Sequence, residues 1–357
     1  GSKVALNLSE AGRENGDIRI LDVASVEFLP EIIPHSRGLF VEGSNTEIVY
    51  NQEKGYDVHD PEQILNMPFK LHVIHTPVEN DRVIVSSKNN PELNIQPQDI
   101  PMVFCFKNSP FMILALLTVE TQLTTYYAPR SELNSESIHW KPLTSIGDEV
   151  QNLFAHGDDV YFLTTKNNSR FKLIKTSFLS PDLENADAII EGNEEWQLSP
   201  DYLAETKDYF IFNITKNELI TKTLQCEYAT GTISEIKVPL EGNITPFSLS
   251  KDDNEMVLRN WGWTTPVNHY SYNAETEVFS DGIFHMKFDY PNVENIVYEE
   301  VEIPSWDGTL VPLSIVYDKS KFKKDGSNVA FMKGYGSYGI NAYVPHFSVN
   351  TFPLLNR

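Results

Sequence analysis

Cysteine is nearly absent from these 357 residues: Cys105 and Cys226 are the only two, 121 positions apart. That spacing is neither a metal-ligand pattern nor a disulfide framework, so two buried free thiols are expected. Long apolar runs are missing as well. Nothing approaches the roughly 18 consecutive apolar residues of a membrane helix, which excludes a helical span and any membrane partner that depends on one. Positive charge is scarce, with 28 Lys plus Arg against 50 Asp plus Glu and a net charge of −22. A field of that sign repels nucleic-acid phosphates and anionic lipid, so neither partner is expected, and the scattered carboxylates read as solubilising surface. No glycine-rich phosphate loop, zinc motif or basic-aromatic patch occurs, and no cofactor is expected. The start at Gly1-Ser2, with no Met and no apolar leader, reads as a cloning remnant. Cytoplasmic and periplasmic locations both stay open.

Nine histidines invite a metal search, and spacing decides against one. His72 and His75 are three apart, an odd separation that sends two side chains to opposite faces of a strand. The cluster Asp57, His59 and Asp60 falls in a polar loop and reads as solvated turn chemistry. Acidic pairs such as Asp158-Asp159, Asp252-Asp253 and Glu299-Glu300 read as hairpin turns or strand entries, where Asp side chains bond their own backbone. Trp261 and Trp263 alternate in NWGWTTP, which suits blade packing or the wall of a channel. Four Asn-x-Ser/Thr sequons, at Asn7, Asn167, Asn213 and Asn243, carry little weight in a chain this rich in Asn.

What the chain does have is a repeat. Runs rich in Val, Ile, Phe and Tyr begin at Lys3, Thr46, Phe111, Asp159, Asp208 and Glu255, with successive starts 43, 65, 48, 49 and 47 residues apart. Each run is followed across a polar turn by a second, as in Asp17 to Val23, Arg170 to Phe178 and His269 to Asn273, which is a hairpin pattern. A further run closes most units and another opens them. Four short strands per unit of about 45 residues is the arithmetic of a β-propeller blade, and it exceeds what one β-sandwich needs. The spacing predicts five full blades and one lacking its first strand. The 65-residue interval places an insertion between Asn51 and Pro68, expected as a surface loop with room for one helical turn.

The texture changes from Tyr298. VYEEVEIPSWDGTLVPLSIVYDKS alternates around Asp307-Gly308, predicting a long hairpin, and the uniformly apolar Asn328 to Lys333 reads as a strand buried on both faces of an α/β sheet. A boundary near residue 290 follows, with a propeller over 1–290 and a second domain over 291–357.

In SWDGTLVPLSIVYDK (Ser305 to Lys319), KFKKDG (Lys321 to Gly326) and GYGSYG (Gly334 to Gly339) the sequence resembles the prolyl oligopeptidase family of serine peptidases, and within it the oligopeptidase B branch. TTPVNHYSYN (Thr264 to Asn273) and SEAGRENGDIRILD (Ser9 to Asp22) add weaker matches to the family's last and second blades. The resemblance implies a mostly β chain: a truncated seven-bladed-type β-propeller beginning inside the second blade, followed by the first strands of an α/β-hydrolase domain. It also implies hydrolysis of short peptides through an acyl-enzyme, with folded proteins kept out by the propeller. By the same likeness, Tyr335 is the expected oxyanion-hole donor and Tyr338 an aromatic lining the substrate side-chain pocket. Lys333 stands where the family commonly has a tyrosine. Gly334, Gly336 and Gly339 read as backbone necessities of a tight loop.

A nucleophile elbow needs Gly-x-Ser-x-Gly, and no Ser here has glycine at both flanking positions. Ser337 comes closest, but Tyr335 stands two residues before it, and it lies too early for the elbow. Without Ser, Asp and His in mutual reach, the chain as it stands is expected to be inactive. Two other readings remain: a stand-alone propeller that binds a peptide or protein, and a sugar-active propeller, for which no motif places a carboxylate pair.

Overall fold

The computed structural model describes every residue except 14, 58, 218, 239–241, 283–292, 336–344 and 356–357. Short apolar runs separated by polar turns satisfy their backbone at least entropic cost by pairing with the next run, and the ladders here are antiparallel pairs of that kind. The chain divides into two compact units, Gly1–Ile190 and Glu191–Arg357.

The first unit opens with a three-stranded sheet of β1 (Lys3–Leu8), β2 (Asp17–Asp22) and β3 (Glu27–Ile33). Three four-stranded sheets follow. They are β4 (Ser36–Phe40) to β7 (Arg82–Val85), with β5 at Glu47–Gln52 and β6 at Phe69–Val73; then β8 (Ile100–Cys105) to β11 (Lys141–Thr144), with β9 at Phe111–Leu117 and β10 at Thr124–Pro129; then β12 (Val150–His156) to β15 (Asp187–Glu191), with β13 at Asp159–Thr164 and β14 at Lys172–Ser177. In the second unit, β16 (Gln197–Glu205), β17 (Tyr209–Lys216), β18 (Ile220–Glu227) and β19 (Ile233–Ile236) form one such sheet. Another comprises β20 (Asn243–Ser248), β21 (Glu255–Trp261), β22 (Asn268–Asn273) and β23 (Val278–Asp281). A two-stranded hairpin of β24 (Ile296–Pro304) and β25 (Leu310–Asp318) and a one-turn helix, α1 (Phe352–Leu355), come last. Five four-stranded sheets preceded by an incomplete one is the blade content read from the spacing.

The inner strands explain why the sheets stack. β9 reads FMILALL, and Met112 to Leu116 are all buried, so it has no polar face to give to water. Met112, Leu114 and Leu116 pack with Val49, Phe69, Leu71 and Val85 of the preceding sheet, while Ile113 on the opposite face packs with Val160, Phe162 and Ile174 of the following one. In the second unit Ile211 and Ile236 meet Met256, Leu258 and Tyr272 in the same way. Outer strands carry less apolar surface: β3 is largely exposed except at Ile33. Cys105 and Cys226 are free and buried, and burial pushes the Cys105 thiol up to about 11.

Buried polar groups find partners, some across these seams and some within one sheet. Asn51 donates its amide to the Pro101 carbonyl at 2.8 Å, and the Tyr50 hydroxyl donates to Asp81 at 2.7 Å. Asp81 also meets His72 Nδ1 at 2.8 Å with His72 fully buried, whereas His75, beyond the end of β6, is exposed. In the second unit Asn213 donates to the Ile244 carbonyl at 2.6 Å and accepts from Thr223 at 2.9 Å.

The described residues of the 53–67 insertion form the expected loop, built of hydrogen-bonded turns, and it is pinned to the first sheet: the Tyr56 hydroxyl donates to Asp17 at 2.5 Å, its ring lies 3.7 Å from that of His35, and the Arg13 guanidinium sits 4.5 Å above it. Asp57 and Asp60 accept backbone N–H groups of His59 and Glu62, as turn residues do. One expectation changes: Asn328 to Lys333 is not a strand, and Val329, Phe331 and Met332 are exposed. A strand needs a neighbour to pair its backbone groups, and among the described residues none pairs with this segment. The boundary expected near residue 290 lies outside the described residues.

Gly38 shows how closely the sheets are built. A Cβ there would lie 2.2 Å from the Val49 carbonyl oxygen and 2.5 Å from Tyr50 Cβ, atoms of the paired strand itself. Gly38→Ala is expected to destabilise the protein by about 2–3 kcal/mol, read as a lower urea midpoint with an unchanged slope.

Candidate functional site

The candidate site is the β24–β25 hairpin and the chain that leaves it, because the GYGSYG segment follows from there. Nine residue pairs run in register from Ile296↔Asp318 to Pro304↔Leu310. The turn sits where Asp307-Gly308 predicted it: Asp307 accepts the Thr309 N–H at 3.0 Å, and Gly308 takes φ +85°, a conformation that favours glycine. At the hairpin root, Ile296 and Phe347 are buried together with Val293, Val316 and Leu355 packed around them.

The middle of the hairpin is held differently. β24 reads IVYEEVEIP, so adjacent glutamates point to opposite faces. On one face Glu300 accepts the Trp263 indole N–H at 3.0 Å through Oε1 and the Ser314 hydroxyl at 2.7 Å through Oε2. On the same face, two residues on, Glu302 accepts the Asn217 amide at 3.0 Å. Asn217 lies in the β17–β18 turn and Trp263 just after β21, so the turns of two successive sheets grip the hairpin. On the other face Glu299 accepts the Tyr317 hydroxyl at 2.5 Å and meets Lys324 at 3.4 Å. The Tyr317 hydrogen bond, with help from Lys324, holds the Glu299 carboxyl below the usual carboxylate range, and the same bond pushes the Tyr317 phenol up.

The chain beyond the hairpin is built onto this second face. Asp318 accepts the Ser320 N–H at 2.9 Å and its hydroxyl at 2.6 Å, and the Phe322 ring lies 4.4 Å from that of Tyr317. Asn328 donates its amide to the Lys323 carbonyl, closing the turn that precedes the apolar run. Tyr335 is 47% exposed, with its side chain open to solvent. Tyr338 and Ser337 lie outside the described residues. The chain is described again at Pro345, whose carbonyl accepts the Asn243 amide at 3.2 Å. Asn243 in turn accepts the Thr221 hydroxyl at 3.0 Å.

Sequence reasoning missed Glu300, Glu302, Trp263 and Asn217 as a group. It placed Glu299-Glu300 at a turn or strand entry, whereas both stand in mid-strand; the signal available was the alternation of VYEEVEIP, which puts Glu300 and Glu302 on one side. Of the tryptophan pair, Trp261 is buried beneath the Arg259 guanidinium at 4.8 Å, and Trp263 is the one that reaches out.

Compared with known proteins, residues 1–280 match the model of the prolyl oligopeptidase N-terminal β-propeller domain. The chain belongs to the prolyl oligopeptidase family. It is similar to a prolyl endopeptidase of Elizabethkingia meningoseptica, 25% identical over 98% of this chain and 47% of the relative. A dipeptidyl aminopeptidase BI of Pseudoxanthomonas mexicana is 20% identical over 97% of this chain and 45% of its own length. The chain thus spans about half the length of the curated relatives it matches. Among solved structures, a prolyl endopeptidase superposes with a TM-score of 0.84 at 18% identity, over 100% of this chain and 50% of that one. Prolyl oligopeptidase B from Galerina marginata, bound to a 35-residue hydrolysis and macrocyclization substrate, gives 0.82 at 20% identity, over 98% and 49%. The fold is mostly β and its sheets are blades of a prolyl oligopeptidase propeller.

The tie between the last complete blade of this family member and the chain after GYGSYG generates a test. Asn243→Ala leaves the Thr221 hydroxyl and the Pro345 carbonyl without their partner, at an expected cost of about 1–3 kcal/mol. A thermal unfolding series against Thr221→Val, which removes one of the two bonds, is expected to show the larger loss in Asn243→Ala.

Proposed function

We propose that this chain is the access-restricting propeller, over 1–290, and the opening strands, over 291–357, of a serine oligopeptidase that hydrolyses short peptides through an acyl-enzyme. The observation that carries this reading is the family match over residues 1–280 followed directly by the hairpin and GYGSYG. The named relatives, prolyl endopeptidases among them, support peptides as the substrate class. In this reading Ser, Asp and His come from sequence outside residues 1–357. The serine Oγ attacks the scissile carbonyl carbon, its proton passes to the histidine, and the carbonyl oxygen becomes an oxyanion. Tyr335 donates its hydroxyl hydrogen to that oxyanion, and Tyr338 lines the pocket of the adjoining substrate side chain. A preorganised donor of this kind acts on charge that develops in the transition state, so it contributes to kcat more than to binding. The likeness of Ser305 to Gly339 to the oligopeptidase B branch favours a basic side chain at the scissile bond, and the net charge of −22 is compatible with cationic peptides.

The coding sequence beyond Arg357 is the first test: a Gly-x-Ser-x-Gly followed by Asp and His is expected, and a stop codon would leave a peptide-binding propeller instead. Residues 1–357 alone are expected to release no product from a chromogenic peptide. In the full-length enzyme Tyr335→Phe is expected to lower kcat by about 10²- to 10³-fold with little change in KM, and equal kcat values would remove Tyr335 from the oxyanion hole.

A further inference from the structure

The acidic pair Glu299-Glu300 carries an inference that rests on the peptidase reading above. The two carboxylates are neighbours in mid-strand and face opposite ways. Glu300 looks toward the blades and is held by the Trp263 indole at 3.0 Å and the Ser314 hydroxyl at 2.7 Å. Glu299 looks toward the outgoing chain and is held by the Tyr317 hydroxyl at 2.5 Å and by Lys324 at 3.4 Å. Tyr317 in turn stacks on Phe322 at 4.4 Å, and the chain runs from there through the Lys323–Asn328 turn to Tyr335. One strand therefore joins the position of a blade turn to the position of the segment that carries the candidate oxyanion donor.

We propose that Glu300 is a positioning residue, through which Trp263 fixes the hairpin and with it the path of residues 318–335. Each acts through the backbone of β24. The arrangement fits positioning better than simple cohesion for a physical reason. The hairpin root is already held by apolar burial of Ile296 and Phe347, which is non-directional, whereas the two-oxygen grip of Glu300 and the parallel Glu302–Asn217 bond fix orientation. Carboxylate-accepted hydrogen bonds are short and directional, and a displacement of about 1 Å at a remote support is enough to cost catalysis roughly a hundredfold.

The test uses the full-length protein and separates this inference from the peptidase reading. Trp263→Phe keeps an aromatic ring and removes the N–H donor; Glu300→Ala removes the acceptor; Glu300→Gln keeps an acceptor for Trp263 and offers an N–H to the Ser314 hydroxyl. Trp263→Phe and Glu300→Ala are expected to lower kcat about tenfold, equivalent to about 1.4 kcal/mol, with KM within about twofold. Glu300→Gln is expected to restore most of that loss. Wild-type kcat and KM in a folded Trp263→Phe enzyme would overturn the proposal. Hydrogen exchange supplies a second readout that needs no activity: amides of residues 319–328 are expected to exchange at least about threefold faster in Trp263→Phe while those of β21 do not change. Should the wild-type enzyme hydrolyse no peptide, the peptidase reading fails, and the exchange experiment alone decides whether Trp263 positions the segment. Unchanged exchange at 319–328 would overturn it.

Discussion

Apolar burial on both faces of the inner strands is the constraint from which each unit is built. Met112 to Leu116 in β9 present five buried residues in succession, so this strand has no face to turn toward water and requires a sheet on either side. Each of the Met, Ile and Leu side chains among them contributes about 1.5–3 kcal/mol when withdrawn from water. Those gains stand against a chain entropy of similar total size, and a single sheet that is apolar on both faces cannot bury them alone. Stacking is what makes a blade stable, and it also explains why the repeat is visible as a rhythm of composition rather than as repeated words.

Apolar contact sets no register, however, and polar groups supply that. Asn51 to Pro101 and Asn213 to Ile244 each join one sheet to the next within a unit, and both are buried, while Tyr50 to Asp81 ties strands of a single sheet. Leaving such a donor or acceptor unpaired costs about 1–3 kcal/mol, so a slipped neighbour is penalised at every one of these points. The hairpin follows the same division of labour, with an apolar root at Ile296 and Phe347 and directional contacts at Glu300 and Glu302.

The architecture was legible because it is local. Strand starts and the Asp307-Gly308 turn depend on patterns over a few residues, and such patterns can be counted. What was illegible depends on partners far along the chain. Glu300 meets Trp263 across 37 positions and Tyr56 meets Asp17 across 39, and nothing in either local sequence announces the other residue. Asn328 to Lys333 failed for the complementary reason. Its apolar composition states what the segment would do between neighbours, while its conformation is decided by which neighbours are there. For the candidate site, GYGSYG was read through resemblance alone, Tyr335 is exposed, and Tyr338 falls outside the described residues.

Two of the four sequons have a consequence for the history of the molecule. The amide nitrogens of Asn213 and Asn243 are the atoms to which an N-linked glycan would attach. Both are spent inside the second unit, one on the Ile244 carbonyl and the other on that of Pro345, with the residues 1% and 7% exposed. A sugar on either nitrogen would remove a seam contact and force bulky polar mass between packed strands. Any compartment that glycosylates nascent chains would thus be in kinetic competition with closure of these sheets, and every molecule modified at those positions before folding would be lost to the native state.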